Sequence, residues 1–211
     1  MNDLSEENIR LNCPHCDQTS DAYTYLLETT QFFSVVCDYH PLLEGHLLII
    51  PKKHLSCVGE YPEPLYQEFI SLYKKYSEFI KSEYGAVSSF EHGKFGQSVF
   101  HSHIHLLPYD GNPKDIVPEG QAYLSKIENL SELKSILKRD GGYLFFSIGR
   151  EDWIVEKNLT SPRFFRDRFA IALGHPERGD WKTMHVNQKA MITANRMNES
   201  VRKKFKIYTR Q

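Results

Sequence analysis

No apolar run in these 211 residues approaches the roughly 20 needed to cross a bilayer as a helix. The opening stretch MNDLSEENIR is polar and acidic and lacks the apolar centre of a secretory signal, so the expectation is a soluble, cytoplasmic protein. A basic excess is also missing. Twenty-six lysines and arginines stand against 27 acidic residues, for a net charge of −1, which disfavours generic nucleic-acid binding driven by phosphate contacts. Cysteine is scarce, and two of the four, Cys13 and Cys16, form a CxxC pair. In a reducing compartment such a pair serves metal binding or redox chemistry more often than a disulfide. Cys37 and Cys57 sit in apolar or mixed surroundings and read as inert thiols. Internal repeats and low-complexity tracts are absent.

What is present is enough for a core. Forty per cent apolar residues, with 12 tyrosines and 13 phenylalanines, can offset the entropy of ordering the chain. The length suits one generous domain with an appended segment. Residues 23–29 and 32–38 are β-branched and aromatic around a short polar joint and read as a hairpin. Residues 45–54 suit a buried strand leaving its sheet at Pro51. Over residues 62–84, Leu65, Phe69, Leu72, Tyr76, Phe79 and Ile80 recur at the helical period, and Gly85 ends the pattern. Two strand-like runs follow, 86–93 and 97–109. The Gly- and Pro-containing stretch 109–120 then marks a boundary, dividing the chain into residues 1–112 and 113–211. In the second part the expected elements are a short helix over 131–138 and a hairpin of YLFFSI and DWIVE. A helix capped by Ser161 with Pro162 in its first turn should follow, then a last helix over 186–205 showing Ala190, Ala194, Met197, Val201 and Phe205 on one face.

The chemistry concentrates at residues 101–105. Side chains alternate along a strand, so His101, His103 and His105 share one face, with Ile104 and Leu106 on the other. A neutral imidazole is a good nucleophile near pH 7, and its protonated form is a good phosphate partner. The central ring can donate one nitrogen to a backbone carbonyl and turn the other toward phosphorus. In-line attack on phosphorus by His103 fits this pattern, against a chance cluster or a transition-metal patch.

HSHIHLL at 101–107, preceded in order by GHLLIIPKKH (45–54), a helix and GQSVFH (96–101), resembles the histidine triad family over about residues 20–110. The resemblance implies an α+β fold with a five-stranded antiparallel sheet, here followed by a C-terminal α/β extension. It also implies a nucleotide or dinucleotide bound over the triad face, and commonly a homodimer. Carried over by position, His103 is the residue that becomes nucleotidylated, His105 a phosphate contact near the leaving group, and His46 a further active-site histidine. Gln97 and Ser98 match phosphate contacts. Asp38 matches the position that holds the ribose hydroxyls, with a plain turn residue as the alternative. Glutamine replaces the last histidine in the similar hexose-phosphate uridylyltransferases, so His105 favours hydrolysis over transfer.

Zinc needs four nitrogen or sulfur ligands, and in zinc-bearing members of the family a set like Cys13, Cys16, His54 and His101 supplies them. The resemblance thus implies a structural zinc, with His101 shared between metal and triad. His15, between the cysteines, reads as a bystander. The segment FEHG (90–93) is similar to a larger bacterial-type subgroup, with Glu91 and His92 either lining the leaving-group side or stabilising a strand end. Arg163, Arg166 and Arg168 either meet a polyphosphate or face solvent. The expected activity is hydrolysis of a phosphoester or phosphoanhydride, with a dinucleoside polyphosphate as leading substrate and a nucleoside phosphoramidate behind it. Nucleotidyl transfer to a phosphorylated acceptor, or non-catalytic nucleotide sensing, are the alternatives.

Overall fold

The computed structural model describes residues 13–149 and 151–210, so the polar opening stretch lies outside the described residues. The first half contains β1 (Leu26–Thr29), β2 (Phe33–Cys37), β3 (Leu47–Pro51), the helix α1 (Glu63–Tyr84), β4 (Ser88–Gly93) and β5 (Ile104–Leu107). The second half contains α2 (Pro113–Ile116), β6 (Leu124–Ile127), α3 (Glu132–Asp140), β7 (Tyr143–Ile148), β8 (Glu151–Val155), α4 (Phe164–Ala172), α5 (Trp181–Val186) and α6 (Gln188–Tyr208). One antiparallel sheet runs β1-β2-β3-β5-β4-β7-β8-β6. The five strands of the first half are therefore contiguous, and the extension lengthens the same sheet by three. The seam is long: β4 pairs with β7 at six positions, from Ser88 opposite Ile148 to Gly93 opposite Tyr143.

Both faces of this sheet are covered, and β7 shows how the sequence achieves it. Tyr143 and Phe145 enter one core with α1 and the end of α6, while Leu144, Phe146 and Ile148 enter a second core with Phe164, Phe165 and Phe169 of α4 and its approach. Alternation at period two feeds both layers. Each buried phenylalanine contributes about 1.5–3 kcal/mol. In α1 the six residues expected to face inward are the six that are buried, and Gly85 closes the helix at φ 87°, a left-handed conformation that glycine adopts without steric cost.

Three elements depart from expectation. The strand expected over 97–109 is regular only from Ile104, because the His101 N–H turns back to the Val99 carbonyl and the Ser102 N–H is taken by Leu55. The helix expected from Ser161 begins at Phe164, with Arg163 as its cap in a left-handed conformation (φ 58°). Close packing explains this: Arg163 N–H donates to the Gly96 carbonyl, and a Cβ at Gly96 would stand 2.4 Å from the Ser161 carbonyl oxygen. The last helix, expected over 186–205, runs unbroken from Gln188 to Tyr208, its start set by the Asn187 side chain accepting from Ala190 N–H, and the short α5 before it carried no signal in the sequence. On the inner face of α6 Asn198 is buried, and its amide donates to the Asp38 carbonyl at 3.0 Å.

Candidate active site and metal centre

Three hydrogen bonds fix the tautomers of the histidines that line the site. The backbone N–H of Leu42 donates to His46 Nδ1 (3.1 Å), so the proton of this ring is on Nε2, which donates to His105 Nδ1 at 2.8 Å. His105 must then carry its own proton on Nε2, and that atom is buried with no partner among the described residues. His103 Nδ1–H donates to the His101 carbonyl at 2.6 Å, which leaves a lone pair on Nε2. Burial holds these rings neutral: it lowers His103, it brings His46 to about 4 against the pull of Asp38, and it takes His105 well below the ordinary histidine range. His105 is further pinned by stacking on Phe90 of β4, with centroids 4.1 Å apart.

Asp38, at the end of β2, lies 3.6 Å from His46 Nε2 and 3.9 Å from His105 Nδ1. Burial alone would raise its carboxyl, but Arg166, then His46, outweigh burial and hold it below the usual value. Arg166 reaches in from α4, donating to Asp38 Oδ2 and to the His40 carbonyl, each at 2.7 Å. Asp38, His46 and His105 are close enough to hold a cation geometrically, but the guanidinium already supplies the positive charge there. Asp38 Oδ1 accepts the His40 N–H at 2.9 Å, so both carboxylate oxygens are engaged within the protein.

His103, His105, Asp38 and Arg166 open onto one cavity of about 310 Å³. The far wall is aromatic: Tyr39 and His40 follow β2, and Trp181 and His185 come from α5 of the extension. His40 Nε2 and His185 Nδ1 are hydrogen-bonded at 3.1 Å, and the His40 and Trp181 rings lie 5.7 Å apart. Ser98 is among the residues lining this cavity. Gln97 is not among the lining residues, and its amide donates to the Ser56 carbonyl at 2.6 Å.

His101 leaves the row of three and joins the cysteines. Its Nδ1 is 3.5 Å from Cys13 Sγ and 3.4 Å from Cys16 Sγ, and His54 Nδ1 is 3.2 Å from Cys16 Sγ. Tetrahedral bonds of about 2.0–2.3 Å put neighbouring ligand atoms about 3.5 Å apart, so the four side chains fit a metal ion. His101 Nε2–H donates to the Pro51 carbonyl at 2.7 Å, the outer bond that leaves Nδ1 free to ligate.

Several expected roles change. Glu91 does not line the cavity: it is buried, accepting from Tyr143 Oη (2.5 Å), Ser102 Oγ (2.9 Å) and Val58 N–H (3.0 Å). His92 Nε2 accepts the Phe165 N–H at 3.2 Å, which ties β4 to α4. Arg168 pairs with Glu119, and Arg163 lies beside Asp167 and Asp180. Of the three arginines only Arg166 faces the cavity, and it is spent on Asp38. Cys37 and Cys57 are buried thiols pushed up to about 12 by burial, as inert thiols should be. His15 stays outside the metal set, as expected, and its ring stands edge-on to His103 at 4.7 Å. Trp181, His185 and His40 carried no motif, and only the fold brings them together.

A family model described as the HIT domain matches residues 20–112. An uncharacterised HIT-like protein of Mycoplasma genitalium is 30% identical over 109 residues, which is 49% of this chain and 77% of that protein. This chain belongs to the histidine triad family. The Bacillus subtilis protein hit is 35% identical over 78 residues, 35% of this chain and 54% of that protein, so the match spans about half of that relative. An adenosine 5'-monophosphoramidase of Candida albicans is 26% identical over 123 residues, 54% of this chain and 80% of its own length. A solved hypothetical histidine triad nucleotide-binding protein of Sulfolobus tokodaii superposes with a TM-score of 0.41 at 29% identity, covering 47% of this chain and 71% of that one. The histidine triad segment matched by the family model ends at residue 112, and α4 and α5, which supply Arg166, Trp181 and His185, lie beyond it.

Proposed function

We propose that this protein hydrolyses a nucleotide phosphoester, phosphoanhydride or phosphoramidate through a nucleotidyl-His103 intermediate. The observation that carries the reading is the pair of fixed tautomers in one cavity: a lone pair on His103 Nε2 and an unpartnered N–H on His105 Nε2. His103 Nε2 attacks the α-phosphorus, the bond from phosphorus to the leaving oxygen or nitrogen breaks, and the leaving group takes a proton from solvent. His105 Nε2–H donates to a non-bridging oxygen as its charge grows. Water then attacks the same phosphorus and gives up a proton to solvent, the phosphorus–nitrogen bond breaks, and the nucleoside monophosphate departs with the lone pair restored to His103.

The cavity volume is at the low end for small-molecule sites and suits one nucleotide, with its base against the aromatic wall. The leaving group then projects through the mouth. Arg163 and Arg168 are ion-paired, so the argument for long polyphosphates weakens and a nucleoside phosphoramidate becomes the leading substrate, in keeping with the name of the Candida relative. Residues 1–112 carry the chemistry in this reading, and residues 113–211 complete the cavity. Zinc in the Cys13, Cys16, His54 and His101 set would fasten the CxxC turn beside the catalytic segment.

Turnover of adenosine phosphoramidate and of diadenosine tetraphosphate by the wild type and His103→Ala tests the reading. The variant should lose at least about a thousandfold in kcat/KM with its fold intact. Normal hydrolysis by the variant would remove His103 from the mechanism.

A further inference from the structure

His15, between the two cysteines, has a role that metal binding does not explain. It is 6% exposed, and its Nδ1 is buried with no hydrogen-bond partner among the described residues. The ring lines the same cavity as His103, His105 and Arg166. It stands edge-on to His103 with centroids 4.7 Å apart and planes at 76°, and its centroid is 5.6 Å from that of His101. The four side chains close enough to share a metal do not include it.

Its position is fixed from three directions. Cys16 N–H and Asp17 N–H both return to the Cys13 carbonyl, at 3.0 and 3.1 Å, and close the turn that presents the ring. The flanking thiols lie against His54 and His101. The Tyr23 hydroxyl donates to the His15 carbonyl at 2.6 Å. A polar nitrogen held this firmly, buried and unpaired, costs the fold free energy unless a ligand satisfies it. The ring lines the cavity beside His103, where a group held by His103 would sit.

We propose that His15 is a fourth imidazole of the active site, whose Nδ1 hydrogen-bonds a phosphoryl oxygen of the nucleotide held at His103. The inference rests on the reading of His103 as the phosphorus-binding residue and extends it. His105 then meets the phosphoryl group from the β5 side and His15 from the CxxC turn. The metal quartet gains a catalytic consequence, because the same turn that supplies two thiolates aims this ring.

The test uses the full-length chain and three variants, His15→Ala, His15→Asn and His15→Gln. Asparagine places an amide nitrogen near the position of Nδ1, and glutamine places one near Nε2. Binding of adenosine monophosphate is measured by calorimetry, turnover with adenosine phosphoramidate, and zinc by elemental analysis. His15→Ala should weaken binding and kcat/KM about tenfold or more while keeping the wild-type metal content. His15→Asn should recover most of the loss and His15→Gln little. Unchanged binding and turnover in His15→Ala, equal behaviour of the asparagine and glutamine variants, or loss of metal in His15→Ala would each overturn the proposal. If the wild type neither binds the monophosphate nor cleaves the amidate, the proposed function itself falls. A working wild type with an indifferent His15→Ala sinks only this inference.

Discussion

Arg166→Met keeps most of the aliphatic length of the side chain while deleting the guanidinium that joins the extension to the catalytic half. In the native protein that group donates to Asp38 Oδ2 and to the His40 carbonyl, both at 2.7 Å, and the two charged side chains are 7% and 8% exposed. Removing one partner of a buried pair leaves an uncompensated charge and costs about 3–5 kcal/mol. With a urea dependence of about 2–3 kcal/mol per molar for a chain of this size, the unfolding midpoint should fall by about 1.5 M. Asp38→Asn alone should also destabilise, by stranding the guanidinium. The double variant should lose less than the sum of the two, since contacting residues couple by about 0.5–3 kcal/mol. Urea melts followed by tryptophan fluorescence and circular dichroism measure all four corners of the cycle. A midpoint shift under about 0.3 M for Arg166→Met, or strict additivity in the double variant, would refute the view that this ion pair bolts α4 to the site.

The Cys13→Ser and Cys16→Ser double variant should lose its bound metal and melt about 5 °C lower or more, and unchanged metal content would contradict the quartet. Burial raises the Glu91 carboxyl to about 7 although Tyr143, Ser102 and Val58 N–H pull it down. Its folded value lies above its unfolded value near 4.5, so the stabilisation is fully present below about 4.5 and is lost as pH rises through 7. That loss is about 3 kcal/mol at most. Glu91→Gln should flatten the stability profile between pH 5 and 8, and an unaltered slope would assign the dependence elsewhere. Arg163→Ala and Arg168→Ala should leave the ratio of kcat/KM for diadenosine tetraphosphate and adenosine phosphoramidate unchanged, because both side chains are ion-paired in the fold. A selective loss on the tetraphosphate would restore the polyphosphate reading.

Much of this architecture was legible where local signals agreed. The six inward residues of α1 and the stop at Gly85 followed from period and cap, and the strand ending at Pro51 from the missing N–H of proline. The quartet of Cys13, Cys16, His54 and His101 followed from motif resemblance, and the fold brings its four ligand atoms within 4.8 Å of one another. Long-range pairing was not legible. Nothing local to Arg166 announces that Asp38, 128 residues earlier, receives its guanidinium, so its charge read as solvent-facing or phosphate-binding. The early part of the 97–109 run has strand propensity, but Leu55 and Val99 capture its backbone. The left-handed cap at Arg163 depends on a contact with Gly96 that spacing cannot show. His15 was rightly left out of the metal set, but adjacency to two ligands says nothing of where a turn aims the ring between them, so its place beside His103 was not legible.

The central claim is that His103 becomes covalently nucleotidylated. Rapid mixing of the wild type with adenosine phosphoramidate, alkaline quench and mass spectrometry of the peptides tests it most directly. The account predicts an adenylyl adduct on His103 alone, stable to base, lost on mild acid treatment and absent from His103→Ala. An adduct on His105, His46 or His15, or steady turnover with no adduct on any histidine, would contradict it.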